Sequence, residues 1–336
     1  MPLAQRQQVT RFHLQWTVFE SEGAMMPIRN CTFAARFPLL CFAVCIVTTS
    51  IADEPAAPAN DSKNYVVHKG LQYSNPGKRM TLDLFVPKDA DEAVPCIIVI
   101  EGGGFAARDG QRFANFARYL ANRGYAAALI AYRGRPEHKY RDTVADTKAA
   151  VRFVRSVSDQ YNIDSNRFGA MGRSAGGTLT ALLALTGGDS KLEGNGGNVG
   201  QSSRIQSAVA MAGVFDFVAR FNSKAQLDLQ KQHATKLKTN GQWIGPPFAA
   251  DNADWLQASA VNHIDQDDPP ILFLCCKNDA IVPWLQSQEM HDAMKASGAK
   301  SEIKIYNDGG HSFRGLKDLP MEDTVKYFDK TLSRKP

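Results

Sequence analysis

Three side chains that could together cleave an acyl bond are spread over the second half of the chain. Ser174 stands in the run GRSAG, Asp279 follows the apolar run LFLCC, and His311 follows the run IKIY. A serine hydroxyl attacks a carbonyl carbon only weakly unless a histidine takes its proton and a carboxylate orients that histidine. The order serine, acid, histidine along the chain therefore predicts nucleophilic catalysis by Ser174, with His311 as base and Asp279 as orienting acid.

The surroundings of Ser174 strengthen this interpretation. Its G-x-S-x-G motif follows the strand-like run RFGAM and opens the helix-like run SAGGTLTALLAL. A serine on such a sharp strand-to-helix turn has a strained backbone and an exposed hydroxyl, and small neighbours let the turn close. The N-terminus of the helix then directs backbone N–H groups at the reacting carbonyl. The alternative is a tight glycine-rich turn with an incidental serine.

Other histidines and acids compete for the two supporting roles. The rival bases are His68, His138, His233, His263 and His291, and the rival acids are Asp142, Asp146 and Asp308. His138 follows Pro136 and Glu137 in a loop that could line the site. Asp308 belongs to the loop of His311 itself, where we expect it to form a turn. We expect Asp142 to cap a helix and Asp146 to hold the loop AYRGRPEH.

A glycine-rich run could stabilise the charge that develops on the substrate. The tetrahedral intermediate of acyl transfer carries a negative charge on the former carbonyl oxygen, which preorganised backbone N–H groups stabilise. The run EGGGF follows an apolar strand-like run, and glycine lets a backbone approach closely. We therefore predict an oxyanion hole formed by the N–H group of Ala175 together with those of Gly103 and Gly104.

These candidates need a scaffold that brings distant loops together. Strand-like and helix-like runs alternate over residues 64–333, and continuous apolar runs such as PCIIVI are typical of buried parallel strands. The pattern predicts an α/β fold: a mostly parallel central sheet with helices on both faces, and an antiparallel N-terminal hairpin with the turn NPGKR at one edge. A long insertion at about 217–268 predicts a cap or lid.

The composition narrows the class of function. The chain has 336 residues, is 44% hydrophobic and 22% charged, and has a net charge of +5 without a dominant block of lysine or arginine. A nucleic-acid partner is therefore not expected. Cys96, Cys275 and Cys276 lie within apolar strand-like runs, which favours buried free thiols over a disulfide framework.

The first 52 residues predict an export signal. Arginines precede a short apolar stretch over 37–47, and Ser50, Ile51 and Ala52 form a small-x-small cleavage site. The true start would then be Met25 or Met26, and residues 53–63 would form a linker. Because the apolar stretch is short for a membrane span, we expect a periplasmic or extracellular protein without stable membrane insertion after cleavage.

The sequence resembles the α/β-hydrolase fold, and more closely the bacterial secreted esterases and lipases related to feruloyl and acetyl xylan esterases. The resemblance rests on the runs IEGGGF, AYRGRPEHKYRDTVADTKAAVRFVR, GRSAGG, DDPPILFLCCKNDAIVPWLQSQ and GGHSF, in this order, and covers nearly all of 64–333. It implies no metal or organic cofactor. The site residues that it implies are the triad Ser174, Asp279 and His311 and the oxyanion-hole residues Gly103, Gly104 and Ala175.

The chain departs from this family at two positions beside the site. Glu101 stands before the glycines where the family usually has histidine, and Cys276 with Lys277 stands where the family often has His-Gly. We predict that Glu101 braces the loop as an acceptor for backbone N–H groups or for an arginine such as Arg133 or Arg173. If it is buried, desolvation would raise its pKa.

The predicted function is that of a secreted serine carboxylesterase. Its substrate would be a small-molecule or polysaccharide-linked ester, bound in a pocket shaped by the aromatic residues Phe105, Trp243, Phe248 and Trp255. The cap aromatics could equally pack for stability alone. Two alternatives remain: a compact serine peptidase of the prolyl-oligopeptidase kind, and an inactive hydrolase fold that binds a ligand, for which Glu101 is the only indication.

Overall fold

The computed structural model describes residues 64–74, 80–88, 90–231 and 233–333. The predicted export signal with its alternative starts, the linker over 53–63 and the NPGKR turn lie outside the described residues. No helix in the described ranges is long and apolar enough to cross a membrane.

One mixed sheet of eight strands forms the centre of the described part. The strands are β1 (Tyr65–Gln72), β2 (Thr81–Pro87), β3 (Val94–Ile100), β4 (Ala126–Ile130), β5 (Ile163–Arg173), β6 (Ser207–Met211), β7 (Ile271–Cys276) and β8 (Ser301–Tyr306). Their order is β1-β2-β4-β3-β5-β6-β7-β8. The β1–β2 and β2–β4 pairs are antiparallel and all other pairs are parallel. The predicted α/β class, with an antiparallel hairpin at one edge, is confirmed.

Helices follow most of the strands and cover both faces of the sheet. They are α1 (Ala114–Ala121), α2 (Tyr140–Ser156), α3 (Ala175–Leu185), α4 (Ser190–Glu193), α5 (Phe217–Asn222), α6 (Lys224–Leu229), α7 (His233–Ile244), α8 (Ala253–Ala258), α9 (Leu285–Ala296) and α10 (Leu319–Thr331). Short 3₁₀ helices occupy Gln111–Phe113, Ser158–Tyr161, Ala260–His263 and Gly310–Ser312. The helices α5 to α8 fall within the predicted insertion.

The alternation of side chains along the strands builds two apolar cores. In β3, Cys96, Ile98 and Ile100 face a core shared with α2 and α3, whereas Ile97 and Val99 face a core shared with α1 and α10. Both faces of this strand are buried, which is why its sequence reads as a continuous apolar run. Cys96, Cys275 and Cys276 are free and buried, as predicted.

The N-terminus of α2 differs from the prediction in one detail. The helix begins at Tyr140, so Asp142 lies in its first turn rather than before it. The Asp142 carboxylate accepts a hydrogen bond from the backbone N–H of Lys139 at 3.2 Å. A carboxylate in the first turn satisfies an otherwise unpaired N–H group and interacts favourably with the helix dipole.

The parallel strands end at one edge of the sheet, and the candidate site residues follow those ends. Glu101 and the glycines follow β3, Ser174 follows β5, Asp279 follows β7 and His311 follows β8. In open α/β sheets, ligands bind in the crevice outside the carboxyl ends of the strands. The topology therefore places all predicted reacting groups at the edge where such a crevice forms.

Candidate active site

The structure brings the three predicted reacting side chains into one line of hydrogen bonds. His311 Nδ1 lies 2.7 Å from Asp279 Oδ2, and His311 Nε2 lies 2.8 Å from Ser174 Oγ. An ionised carboxylate can only accept, so Nδ1 carries the proton and Nε2 is left to accept from the serine hydroxyl. This tautomer is the one in which the imidazole can remove the Ser174 proton.

The backbone at Ser174 has the strained conformation that the motif predicts. Its φ is 60° and its ψ is −124°, a backbone region that residues other than glycine rarely adopt. A Cβ atom on Gly176 would lie 2.1 Å from the carbonyl oxygen of Ile100, so the turn closes only with glycine there. The turn is held by a hydrogen bond of 2.8 Å from the Ser174 N–H to the carbonyl of Met211.

The acid is fixed from both sides. Asp279 is buried, and its Oδ1 accepts the backbone N–H groups of Ile281 at 2.8 Å and Val282 at 3.0 Å. The neighbouring Asn278 joins the acid loop to the histidine loop, because its Oδ1 accepts the N–H of Gly310 at 2.8 Å. The orientation of His311 therefore depends on loops from two adjacent strand ends rather than on one loop alone.

Arginines hold the carbonyl groups of the glycine loop. Arg108 donates to the carbonyls of Gly102 at 3.1 Å and Gly103 at 2.9 Å, and Arg135 donates to the carbonyl of Gly104 at 2.6 Å. Gly103 has a φ of 143°, and a Cβ there would collide with the Arg108 guanidinium. Only glycine lets the arginine lie this close.

Fixing a carbonyl also fixes the N–H group that follows it. The peptide unit is planar and trans, so the N–H of residue i+1 points opposite to the carbonyl of residue i. The N–H groups of Gly103 and Gly104 therefore point away from Arg108, and they donate to no acceptor among the described residues. Gly103, Gly104 and Ala175 line the same cavity as Ser174 and His311.

Glu101 accepts from a backbone N–H group and faces two arginines, but these are not the arginines that the sequence suggested. Its carboxylate is 1% exposed and lies 3.6 Å from Arg108 Nε and 3.9 Å from Arg112 Nη1, and it accepts the backbone N–H of Arg112 at 3.3 Å. Burial raises the pKa of Glu101, and the two arginines oppose this rise. The prediction that Arg133 or Arg173 is the partner is wrong.

Arg133 and Arg173 have other roles. Arg133 forms a forked salt bridge with Asp146, with 2.7 Å between Nη2 and Oδ1, and its backbone N–H donates to the same carboxylate at 2.9 Å. Asp146 thus holds the loop after β4. Arg173 donates to the carbonyl of Ser312, beside His311, and lies over the ring of Phe113.

The predicted aromatic pocket is only partly formed by the residues expected. Phe105 lines the cavity, but Trp243 and Trp255 are 0% exposed and Phe248 packs edge-on against Trp255 at 5.0 Å between ring centroids. Trp243 stacks on Phe105 at 3.9 Å. Contacts between aromatic side chains stabilise a core beyond the area that they bury, and these three residues form such contacts rather than lining the cavity.

The cavity has polar lining residues that sequence reasoning missed. It measures about 290 Å³, and its wall includes Arg220, Lys236, Thr239 and Asn240. All four come from the cap helices α5 and α7. No motif marks them in the sequence. The four-residue spacing of Lys236 and Asn240 on one helix face is the single available signal.

The rival groups lie away from Ser174. His138 lies 3.6 Å from Asp142, His263 contacts the carbonyl of Gln257, and Asp308 accepts a hydrogen bond from Asn278. His68 packs against Tyr161 and His233 against Phe221, and His291 forms a hydrogen bond with Ser301. In the described ranges, no group of three or more histidine, cysteine, aspartate and glutamate side chains could hold a metal ion.

The sheet order and the site together define an α/β-hydrolase fold. A family model described as BD-FAE matches residues 82–294, which is more than half of the chain, and the chain belongs to this family. The resemblance to esterases of the α/β-hydrolase fold is thereby confirmed.

Curated relatives of this chain are named as ester hydrolases. The chain is 28% identical over 236 residues to a probable carboxylic ester hydrolase, LipM, of Mycobacterium tuberculosis, covering 69% of this chain and 53% of the relative. It is 24% identical over 255 residues to an isoprenylcysteine alpha-carbonyl methylesterase of Arabidopsis thaliana, covering 74% of this chain and 58% of the relative. The chain thus spans a little more than half the length of these relatives.

Solved structures with this fold include carbohydrate esterases. A truncated form of a carbohydrate esterase from gut microbiota has a TM-score of 0.73 and 26% identity, covering 84% of this chain and all of that chain. A bifunctional GH43-CE protein of Bacteroides eggerthii has a TM-score of 0.70 and 25% identity, covering 79% of this chain and 38% of that chain. Both matches extend over most of the described domain.

Proposed function

We propose that this protein is an exported serine carboxylesterase that removes short acyl groups from carbohydrate. The observation that carries the proposal is the line of hydrogen bonds from Ser174 through His311 to Asp279, next to glycine N–H groups that have no acceptor among the described residues. Carbohydrate esterases among the solved neighbours support the substrate class, and the predicted signal over 1–52 supports export. The catalytic domain would span 64–333, with residues 217–268 as its cap.

The reaction follows from the geometry. His311 Nε2 takes the Ser174 proton as Oγ attacks the ester carbonyl, and Asp279 stabilises the imidazolium that forms. The oxyanion is stabilised by the N–H groups of Gly103, Gly104 and Ala175. The imidazolium then protonates the leaving alcohol, and water, deprotonated by the same imidazole, hydrolyses the acyl-enzyme.

The size of the cavity supports a small acyl group. At about 290 Å³ it lies at the lower end of ligand-binding cavities. Phe105 is buried and Trp243 stacks on it, and this close packing prevents the cavity from enlarging on that side. Acetyl and propionyl esters would fit such a space better than long-chain esters.

The test is covalent labelling combined with a substrate series. Wild-type protein should react with a fluorophosphonate probe and hydrolyse p-nitrophenyl acetate faster than p-nitrophenyl octanoate. Ser174→Ala should lose labelling and about 10⁶-fold in kcat. Ser156→Ala, which changes an exposed serine on α2, is the matched control and should retain both. Folded wild-type protein that neither labels nor hydrolyses any ester would refute the proposal. Cleavage of aminoacyl anilides without ester cleavage would instead favour a peptidase.

A further inference from the structure

The cavity beside Ser174 carries two positive charges that the proposed reaction does not use. Arg220 and Lys236 line it together with Ser174 and His311. No aspartate or glutamate of the described residues lines the same cavity. The acid nearest to the reaction, Asp279, is already occupied by His311 and by two backbone N–H groups.

Arg220 is a buried cation whose contacts are all neutral. Its side chain is 2% exposed; Nε donates to Gln230 Oε1 at 3.1 Å and Nη2 donates to the carbonyl of Ile281 at 2.7 Å. Nη1 donates to no described residue. Burial lowers the pKa of Arg220 to about 10, so the guanidinium remains charged at neutral pH. Asp279 opposes the effect of burial on this pKa, but it forms no direct ion pair with Arg220 and is bonded to His311. A ligand carboxylate would therefore add counter-charge where a buried charge is costly.

Lys236 and Asn240 add further donors from one face of α7. The Lys236 side chain is half-buried and forms no hydrogen bond or salt bridge with the described residues; burial and the nearby Arg220 lower its pKa, and Asp279 opposes this effect. Asn240, one turn later, is buried, and its side-chain oxygen has no hydrogen-bond partner. That oxygen can only accept and so does not bind a carboxylate; the amide nitrogen, which donates to no described residue, is the group that can. Side chains four residues apart share a helix face, so both groups are presented to the cavity together.

We propose that Arg220, Lys236 and Asn240 form a subsite for a carboxylate of the substrate, so that the enzyme prefers esters bearing a carboxylate close to the scissile bond. A carboxylate accepts several hydrogen bonds at once and is strongly bound by cationic donors. The inference rests on the proposed esterase function and deepens it. The carboxylate could belong to the alcohol part, as in an acylated uronic acid, or to the acyl part, as in a half-ester of a dicarboxylic acid.

Matched pairs of esters distinguish the two sources. For the alcohol part, acetate release is compared between acetylated methyl glucuronoside and acetylated methyl glucoside. For the acyl part, ethanol release is compared between monoethyl succinate and ethyl butanoate. One charged ester should exceed its neutral partner in kcat/KM by about tenfold or more, and 0.5 M salt should reduce this preference because it screens partly exposed charges.

Variants on α7 show whether the preference comes from the proposed subsite. Lys236→Met should reduce the ratio of charged to neutral ester by about tenfold, and Lys236→Arg should restore most of it. Lys238→Met removes an exposed charge from the same helix outside the cavity and should leave the ratio and both rates unchanged. Equal loss on both esters in Lys236→Met would mean that the lysine acts on the common reaction, and would overturn the subsite.

A binding measurement separates failure of the subsite from failure of the proposed function. Methyl glucuronoside and monoethyl succinate are titrated into the Ser174→Ala protein by calorimetry, with methyl glucoside and inorganic phosphate as comparisons. Lys236-dependent binding of one carboxylate supports the subsite even if no ester is hydrolysed. Ester hydrolysis without a preference for either charged ester overturns the subsite and leaves the esterase proposal intact. Equal binding of phosphate would overturn its assignment to carboxylate.

Discussion

Arg108→Met removes the link between a buried carboxylate and the glycine loop. Arg108 is the nearer of the two cations at Glu101, at 3.6 Å, and it donates to the carbonyls of Gly102 and Gly103. Methionine replaces the aliphatic stem of arginine and supplies neither charge nor donors. After the change, Glu101 keeps only Arg112, which lies 3.9 Å away with half of its side chain exposed. Two effects follow, one on stability and one on turnover.

The stability effect is limited by protonation of Glu101. Removing one partner of a buried ion pair costs about 3–5 kcal/mol, because the other charge stays buried. Glu101 can lose its charge by taking up a proton, which at pH 7 costs about 4 kcal/mol for a glutamic acid of ordinary pKa. Burial already raises the pKa of Glu101, so the free energy of unfolding should fall by about 2–3 kcal/mol at pH 7. A folded pKa above the unfolded one makes this penalty grow as pH rises from about 4 through the folded pKa. The loss should therefore be smaller at pH 5.

The turnover effect reflects looser peptide planes. Loss of one oxyanion donor costs about 10²–10³ in kcat. In Arg108→Met the N–H groups of Gly103 and Gly104 remain, but their peptide planes are no longer held by the arginine. We therefore expect kcat on a short-chain ester to fall about tenfold to hundredfold. The Arg112→Met variant, which touches no glycine carbonyl, serves as the matched control and should lose less than about 1 kcal/mol and less than about threefold in kcat.

Urea unfolding at pH 5 and pH 7 and steady-state kinetics decide the matter. The double variant Arg108→Met/Glu101→Gln should recover more than half of the lost stability, because no buried charge remains to be compensated. An equal loss at both pH values, with no recovery in the double variant, would mean that Glu101 is not held by Arg108. An unchanged kcat in Arg108→Met would mean that the arginine does not order the glycine loop.

Two further substitutions test the acid and the surface of the cap. Asp279→Asn should reduce kcat by about 10³–10⁴ while leaving the circular dichroism spectrum unchanged, because the amide favours the wrong tautomer of His311; a loss below tenfold would exclude Asp279 as the orienting acid. Burial raises the pKa of Asp268 to about 6, so its charge destabilises the fold increasingly as pH rises from about 4 to 6. Asp268→Asn should raise the free energy of unfolding by about 1 kcal/mol at pH 7 and not at pH 4; an equal change at both pH values would contradict this.

The sheet and the line of Ser174, His311 and Asp279 were predictable because their signals are local. Apolar runs mark the strands, and Ser174, Asp279 and His311 each follow such a run directly. The topology then does the rest, because parallel strands end at the same edge. The triad geometry needs no long-range information beyond this order.

The partners of Glu101 were not predictable in the same way. Arg108 lies only seven residues further along, in the same loop, but its position depends on left-handed or unusual φ values at Gly103, Gly104 and Phe105. No propensity specifies such a path. The aromatic residues of the pocket were not predictable for another reason. The sequence favours Trp243 as a residue that contacts the substrate, but its ring is stabilised by stacking on Phe105 in the core.

A carboxylate beside a loop that binds negative charge is explained by the chain of contacts that it begins. Glu101 faces Arg108 and Arg112, so two cations offset its charge, and the Arg108 fork holds the carbonyls of Gly102 and Gly103. Because each peptide unit is planar, this fork orients the N–H groups of Gly103 and Gly104. Glu101 thus acts on the proposed oxyanion indirectly. It positions Arg108, and Arg108 fixes the peptide planes whose N–H groups point away from the arginine.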